Sequence, residues 1–287
     1  MKITNKLGLP DAIVRAVTND PYNKGDCAFS ITELLQPPRI RALKKKHEDE
    51  IVEDAADRIW SLLGQSIHTI LERSNNPDNA ISEKRYFAEF AGYMVSAQID
   101  SLELSHGALV DYKTTTSYKF KTDQSPPPEY VAQLNGQLEI LRRNGLDARE
   151  LKITGILRDW NMREAKSNPG YPQFQVATLE IPMWSREEAS RFIEDRIRRH
   201  LAAEKDLPFC SPEERWASPD KYAIMKGTSR RAVKLVDSMA EAMDYVTNMG
   251  PGHRVESRKS ESRRCSSYCA VNKFCTWYQE QLKGEVE

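Results

Sequence analysis

The segment ISEKRYFAEFAGYMVSAQIDSLELSHGALVDYKT, residues 81–114, constrains the fold more than any other part of the chain. It reads as strands in succession, with a bend near Ala91-Gly92 and a turn at Ser105-His106-Gly107 before the strand ALVDYKT. Ahead of it, apolar residues at Val52, Ala55/Ala56, Ile59, Leu63, Ile67 and Ile70/Leu71 keep helical spacing and predict a helix over 49–73. Behind it, SPPPEYVAQLNGQLEILRRNG predicts a proline-led helix that turns Val131, Leu134, Leu138 and Leu141 inward and stops at Gly145. The strand ELKITGILRDW follows. The order αβββαβ within residues 50–160 is that of an α/β protein, a mixed central sheet flanked by helices.

The flanks are simpler. Ser30 and Glu33 have capping-box spacing, and Pro37-Pro38 end the short helix they open. IRALKKKHEDE reads as a charged connector, and QFQVATLEI as a strand alternating at Phe174 and Val176, then Leu179 and Ile181. Ser185 and Glu188 cap a further helix. The last 80 or so residues hold a hairpin (KYAIMKGTSRRAVKLV), a helix (SMAEAMDYVTN), a polar linker (GPGHRVESRKSESRR) and a cysteine cluster. We therefore expect a core over 1–205, with an N-terminal helical region, and a cysteine-containing extension over 206–287, packed as one compact unit.

Lys+Arg and Asp+Glu number 42 each, so no global field draws in a polyanion, and such binding would rest on local patches. PPRIRALKKK is the densest of these near the predicted helix, which makes Arg39, Arg41, Lys44 and Lys45 candidate phosphate contacts. No apolar run approaches the roughly 18 residues of a membrane span, and MKITNKLGLP lacks the apolar stretch of a signal peptide. Both point to the cytoplasm, where cysteines stay reduced and clustering favours metal ligation.

Side chains alternate across a strand, so Asp111 and Lys113 share one face of ALVDYKT and Tyr112 takes the other. Antiparallel pairing about the Ser105–Gly107 turn pairs positions whose numbers have a constant sum. A sum of 211 sets Asp100 opposite Asp111, 213 sets it opposite Lys113, and 212 would put it on the wrong face. Two carboxylates so close repel, and Lys113 neutralises one of them. A divalent ion such as Mg2+ resolves the conflict, with Lys113 acidifying an attacking water or stabilising a pentavalent phosphate. Gly64, His68 and Glu72 lie at i, i+4 and i+8 on the preceding helix. His68 is a candidate ligand and Glu72 a group to orient it or bind water. Gln133 and Gln137 are candidates to contact phosphate or Lys113, and Glu83 is a weaker one. The plain alternatives are a surface ion pair, a structural histidine and a solvated helix face.

In this order, GxxxH on a helix, Asp100, Asp111-Tyr112-Lys113 and Gln133 on the next helix, the chain resembles the PD-(D/E)XK nuclease superfamily. Within it, the match is to the RecB-like branch of CRISPR-associated and phage-encoded exonucleases. The ordered match spans roughly residues 30–141, about 40% of the chain. The resemblance implies a restriction-endonuclease-like core. It implies Mg2+ or Mn2+ on His68, Asp100, Asp111 and the Tyr112 carbonyl, with Lys113 catalytic and Gln133 supporting it. The branch usually has Tyr four residues after the Gln, where this chain has Gln137. Activity would be DNA exonuclease action in recombination or repair, in a bacterial host cell, with DNA ends and a recombination protein as partners. A catalytically silent DNA-binding or scaffold protein of nuclease fold and a structure-specific endonuclease are the alternatives.

Cys265, Cys269 and Cys275 form C-x3-C-x5-C. The same relatives hold a [4Fe-4S] cluster with one distant cysteine and a C-terminal trio usually spaced C-x2-C-x5-C. Zn2+ is the competitor at such spacing. Cys210 is preferred over Cys27 as the fourth ligand. It closes a loop of 55 residues to Cys265 rather than 238, a difference worth roughly 1.2 kcal/mol.

Overall fold

The computed structural model describes residues 2–19, 23–122 and 124–284. The chain divides into two compact units, Met1–Leu207 and Pro208–Glu287, rather than forming the single unit expected.

In the first unit the elements run β1 (Lys2–Thr4), α1 (Asp11–Thr18), β2 (Phe29–Ser30), α2 (Ile31–Leu34), α3 (Pro38–Lys46), β3 (Val52–Asp54) and α4 (Ile59–Ser74). There follow β4 (Ala80–Ser82), β5 (Arg85–Phe90), β6 (Tyr93–Gln98), β7 (Ser101–Glu103), β8 (Ala108–Thr115) and α5 (Pro128–Arg143). The unit closes with β9 (Glu150–Leu157), α6 (Met162–Ser167), β10 (Val176–Glu180) and α7 (Arg186–Lys205). The main sheet has the order β10-β9-β8-β7-β4 and is mixed. β8 pairs parallel with β9 and antiparallel with β7. A second sheet, β2-β6-β5, contains a tight hairpin whose turn residues Ala91 and Gly92 both have positive φ, 50° and 79°. α5 and α7 pack onto this frame. Leu102, Leu109, Leu134, Leu138, Ile140, Leu151, Ile153 and Ile193 form the fully buried centre of its core.

Several local expectations are corrected. The helix starts at Ile59 and not near 49: Val52–Asp54 is a strand parallel to β1, and Ala55–Arg58 is a 3-10 turn. Asp54 fixes this start, because its carboxylate accepts from Thr4 Oγ1 (2.7 Å), the Lys6 amide (3.0 Å) and the Ala56 amide (3.1 Å). The charged connector is the helix α3, since Pro38 sits at a helix's first turn, where its missing N–H costs nothing. Phe174 and Val176 face outward, 70% and 52% exposed, while Leu179 and Ile181 turn toward the core. Ser117–Phe120 is a 3-10 turn in which Ser117 N–H and Oγ donate to Asp159 Oδ1 (2.7 and 2.8 Å). Phe120 fills the space over Gly155, where a Cβ would meet its ring at 2.3 Å.

His200 on α7 is 1% exposed, and its Nε2 donates to the Leu34 carbonyl at 3.2 Å, which fixes the neutral tautomer. Burial pushes its pKa down to about 4, against the pull of that carbonyl. A depressed pKa means stability that is complete above the unfolded value of 6.5 and lost as pH falls through 4. Urea unfolding from pH 8 to pH 4 should show wild type losing on the order of 3 kcal/mol more than His200→Gln across that window. Equal pH slopes would show that the proton on His200 does not matter.

The second unit comprises β11 (Lys221–Lys226), β12 (Lys234–Val236), α8 (Met239–Met249), β13 (His253–Arg258) and α9 (Thr276–Gly284). Its sheet is β12-β11-β13, so the predicted polar linker contains a strand. His253–Arg258 pairs antiparallel with the whole of β11. Ile224, Val236 and Ala242 form a small separate core. Among the described residues, no helix is long and apolar enough to cross a membrane.

Candidate active site

The β7–β8 hairpin has the register Ser101↔Val110, Leu102↔Leu109, Glu103↔Ala108, which is the odd sum of 211. Asp100, one residue before β7, thus comes beside Asp111. The Tyr112 amide locks it there by donating to Asp100 Oδ2 at 2.7 Å. Asp111 is 1% exposed. From α5, Gln133 Nε2 donates to Asp111 Oδ1 at 2.5 Å, so this glutamine holds the acid and not the lysine. Lys113 Nζ lies 2.6 Å from Asp111 Oδ2 as an ion pair, but off the hydrogen-bonding direction, which leaves that buried oxygen without a hydrogen bond.

α4 brings His68 over the same edge. Its Nδ1 is 3.2 Å from Glu83 Oε1 and 3.5 Å from Asp100 Oδ2. Glu83 is in turn held by Gln98 Nε2, which donates to Oε2 at 2.7 Å. One ligand atom each from His68, Glu83 and Asp100 lie within 4.8 Å of one another. Glu83 occupies the turn between β4 and β5 with φ of 49°, a left-handed backbone that glutamate rarely adopts. Its amide donates to the Asp100 carbonyl at 3.2 Å. The sequence ranked Glu83 low because a positive φ at a non-glycine residue has no signature. The site thus has a third acid where two were expected. Gln137, offered with Gln133, is instead buried, and its Nε2 donates to the Gln98 carbonyl at 3.1 Å.

The electrostatics follow from this crowding. Burial, then the charge of Asp111, pushes Asp100 up to about 7, against the attraction of His68, Lys113 and the Tyr112 amide. The hydrogen bond to Glu83 raises His68 against its burial, with help from Asp100 and Asp111. Burial pulls Lys113 down, but Asp111 and Asp100 outweigh it and hold the ammonium above its ordinary range. The cluster therefore keeps protons that a cation would displace. The oxygen and imidazole donors of the His68–Glu83–Asp100 trio are of the kind a hard divalent ion takes.

Of the expected phosphate contacts, Arg39 and Arg41 are turned inward, whereas Lys44 and Lys45 stay exposed. Arg39 is 4% exposed and donates to the Leu207 carbonyl at 2.7 Å. Arg41 lies over the Phe29 ring (4.6 Å) and pairs with Glu204 at 3.1 Å, and Lys45 pairs with the same Glu204 at 3.2 Å. These residues knit α3 to α7. Lys44 is exposed.

In the second unit Cys265 and Cys275 are buried and Cys210 and Cys269 half-buried, and no disulfide joins them among the described residues. Burial pushes the Cys210 thiol up to about 12, with further contributions from Glu214 and from Cys275, Cys265 and Cys269. The four sulfurs therefore sense one another. Cys265 is likewise raised, by burial and then by Cys269 and Cys275, while Arg215 and Arg264 oppose. Burial therefore keeps the Cys210 and Cys265 thiols protonated unless a cation displaces the proton. Arg264, the residue before Cys265, lies over Trp216 at 4.1 Å and donates to the Glu214 carbonyl at 2.7 Å. Cys27 belongs to the first unit, where its sulfur donates to the Lys24 carbonyl (3.2 Å) and contacts Ser96 Oγ (3.3 Å).

No protein-family model matches the sequence, and no curated protein does. Among solved structures, the one described as "Crystal structure of SSO0001" matches over 65% of this chain and 83% of its own, at 17% identity and a TM-score of 0.45.

Proposed function

We propose that the chain is a divalent-metal-dependent deoxyribonuclease with a restriction-endonuclease-like core, a RecB-like exonuclease that processes DNA ends in recombination or repair. The observation that carries this reading is the meeting of Asp100, Asp111 and Lys113 on one strand edge, with Gln133 behind them and His68 above. His68, Glu83 and Asp100 would hold Mg2+ or Mn2+, and Asp111 and the Tyr112 carbonyl would complete the set. A bound ion would supply Lewis acidity at a phosphoryl oxygen and a water of lowered pKa. Lys113, kept charged by the two aspartates, would stabilise the negative charge that builds on the phosphate. Gln133 fixes the Asp111 carboxylate, and Glu83 fixes the ring of His68.

In the second unit Cys210, Cys265, Cys269 and Cys275 would hold a [4Fe-4S] cluster, with structural Zn2+ as the alternative. DNA ends and a recombination protein are the expected partners, in the cytoplasm of a bacterial cell hosting a phage or prophage. The test uses end-labelled single- and double-stranded DNA with Mg2+, Mn2+ or EDTA. Metal-dependent release of label supports the reading, and its position gives the polarity. No cleavage by anaerobically purified protein would sink it and leave a DNA-binding or scaffold role. Discrete internal products would mean an endonuclease instead.

A further inference from the structure

Trp60 is 57% exposed on α4, two helical turns ahead of His68. The Arg158 guanidinium lies 4.0 Å from the centre of its ring, and more than half of the residue stays in water. The Arg158 amide donates to the Thr115 carbonyl at 3.0 Å, which ties this pair to the far end of β8. The helix and strand therefore run side by side in opposite directions. His68 sits by Asp100 and Asp111 at one end, and Trp60 sits by Thr115 and Arg158 at the other. Eight helical residues cover about 12 Å and four strand residues about 13 Å, so the two spans agree. Lys113 lies between the ends. Midway along the helix, an added Cβ at Gly64 would meet nothing within 4 Å, so the space beside that position is open.

A second exposed aromatic borders the same end. Tyr118 is 63% exposed, with Lys121 Nζ 5.5 Å from its ring centre. Its turn is anchored through Ser117 to Asp159, the neighbour of Arg158. Exposed rings interleaved with cations, in line with a phosphate-directed site, match the chemistry that grips unpaired nucleotides. A base in a duplex has its faces covered, whereas an unpaired base offers one to the indole.

We propose that Trp60, backed by Arg158, is a stacking platform for an unpaired base, so that the site takes single-stranded nucleic acid alongside β8. The inference rests on the nuclease reading and names its substrate class. Its test measures binding of the full chain to labelled oligothymidylate and to a blunt duplex in EDTA, where cleavage does not intervene. Wild type, Trp60→Ala, Trp60→Leu and Trp60→Phe are compared, with circular dichroism as the check on folding. Trp60→Ala and Trp60→Leu should bind the single strand roughly 10- to 100-fold more weakly. Trp60→Phe should stay within a few-fold of wild type, and duplex affinity should not change. Trp60→Leu keeps apolar bulk without a π-face, so it decides the matter if the alanine variant misfolds. Unchanged single-strand affinity, or an equal loss on duplex, overturns the platform. Metal-dependent cleavage by wild type with unchanged affinity in the variants would overturn the platform alone. Trp60-dependent binding without cleavage in any metal would keep the platform and overturn the nuclease.

Discussion

Lys113→Ala is expected to slow metal-dependent DNA cleavage by roughly 10²- to 10⁴-fold while leaving Mn2+ binding in place. The size of the effect comes from where the ammonium sits. It is fixed 2.6 Å from Asp111 Oδ2 on a strand whose whole length, Lys113 included, is paired with β9, so it needs no reorganisation when charge develops on the substrate. It also offsets the repulsion between Asp100 and Asp111, so its loss leaves two adjacent acids dependent on the ion alone. Single-turnover cleavage of end-labelled DNA, with a Mn2+ titration alongside, separates these roles. A variant that binds Mn2+ and still cleaves at the wild-type rate would reduce Lys113 to a structural ion pair.

The second large effect lies in the other unit. Cys265→Ser should abolish retention of iron or zinc and unfold Pro208–Glu287, while Met1–Leu207 keeps its fold. The apolar cluster of the second unit, centred on Ile224, Val236 and Ala242, is small beside the extensive core of the first. Structural metal binding is worth about 10–16 kcal/mol in small domains that depend on it, far more than a core of that size supplies. Limited proteolysis of the purified variant, with iron, sulfide and zinc analysis, reads both parts of the prediction. Iron with sulfide would identify the cluster, and zinc alone the competitor. A variant as protease-resistant as wild type, with its metal retained, would remove Cys265 from the ligand set.

Much of the first unit was legible because its signals are short-range. The alternation of ALVDYKT and the turn at Gly107, whose φ is 66°, fix the face and phase of Asp111. The spacing in the proline-led helix places Gln133 behind it. What could not be read depends on partners far along the chain. Arg39 and Arg41 look like a solvated basic run, because Leu207 and Glu204 lie 168 and 163 residues away. His253–Arg258 is too polar to announce a strand, and it becomes one because β11 offers an edge. The apolar spacing at Val52 and Ala55 continues the helical phase by coincidence, and Asp54 interrupts it with bonds to the N-terminal strand. Glu83 depends on a backbone conformation that composition does not encode.

The two halves of the candidate site differ in stiffness. Asp111 is rooted in the interior sheet, whereas none of the sixteen residues of α4 is fully buried. Local opening free energies follow buried apolar contact, so α4 should exchange its amide hydrogens well before β8 does. Random variation will be borne unequally as a result. Outward positions of α4 can change with little penalty to folding, and a lineage could retune the approach to the acids by altering the helix while the strand stays fixed.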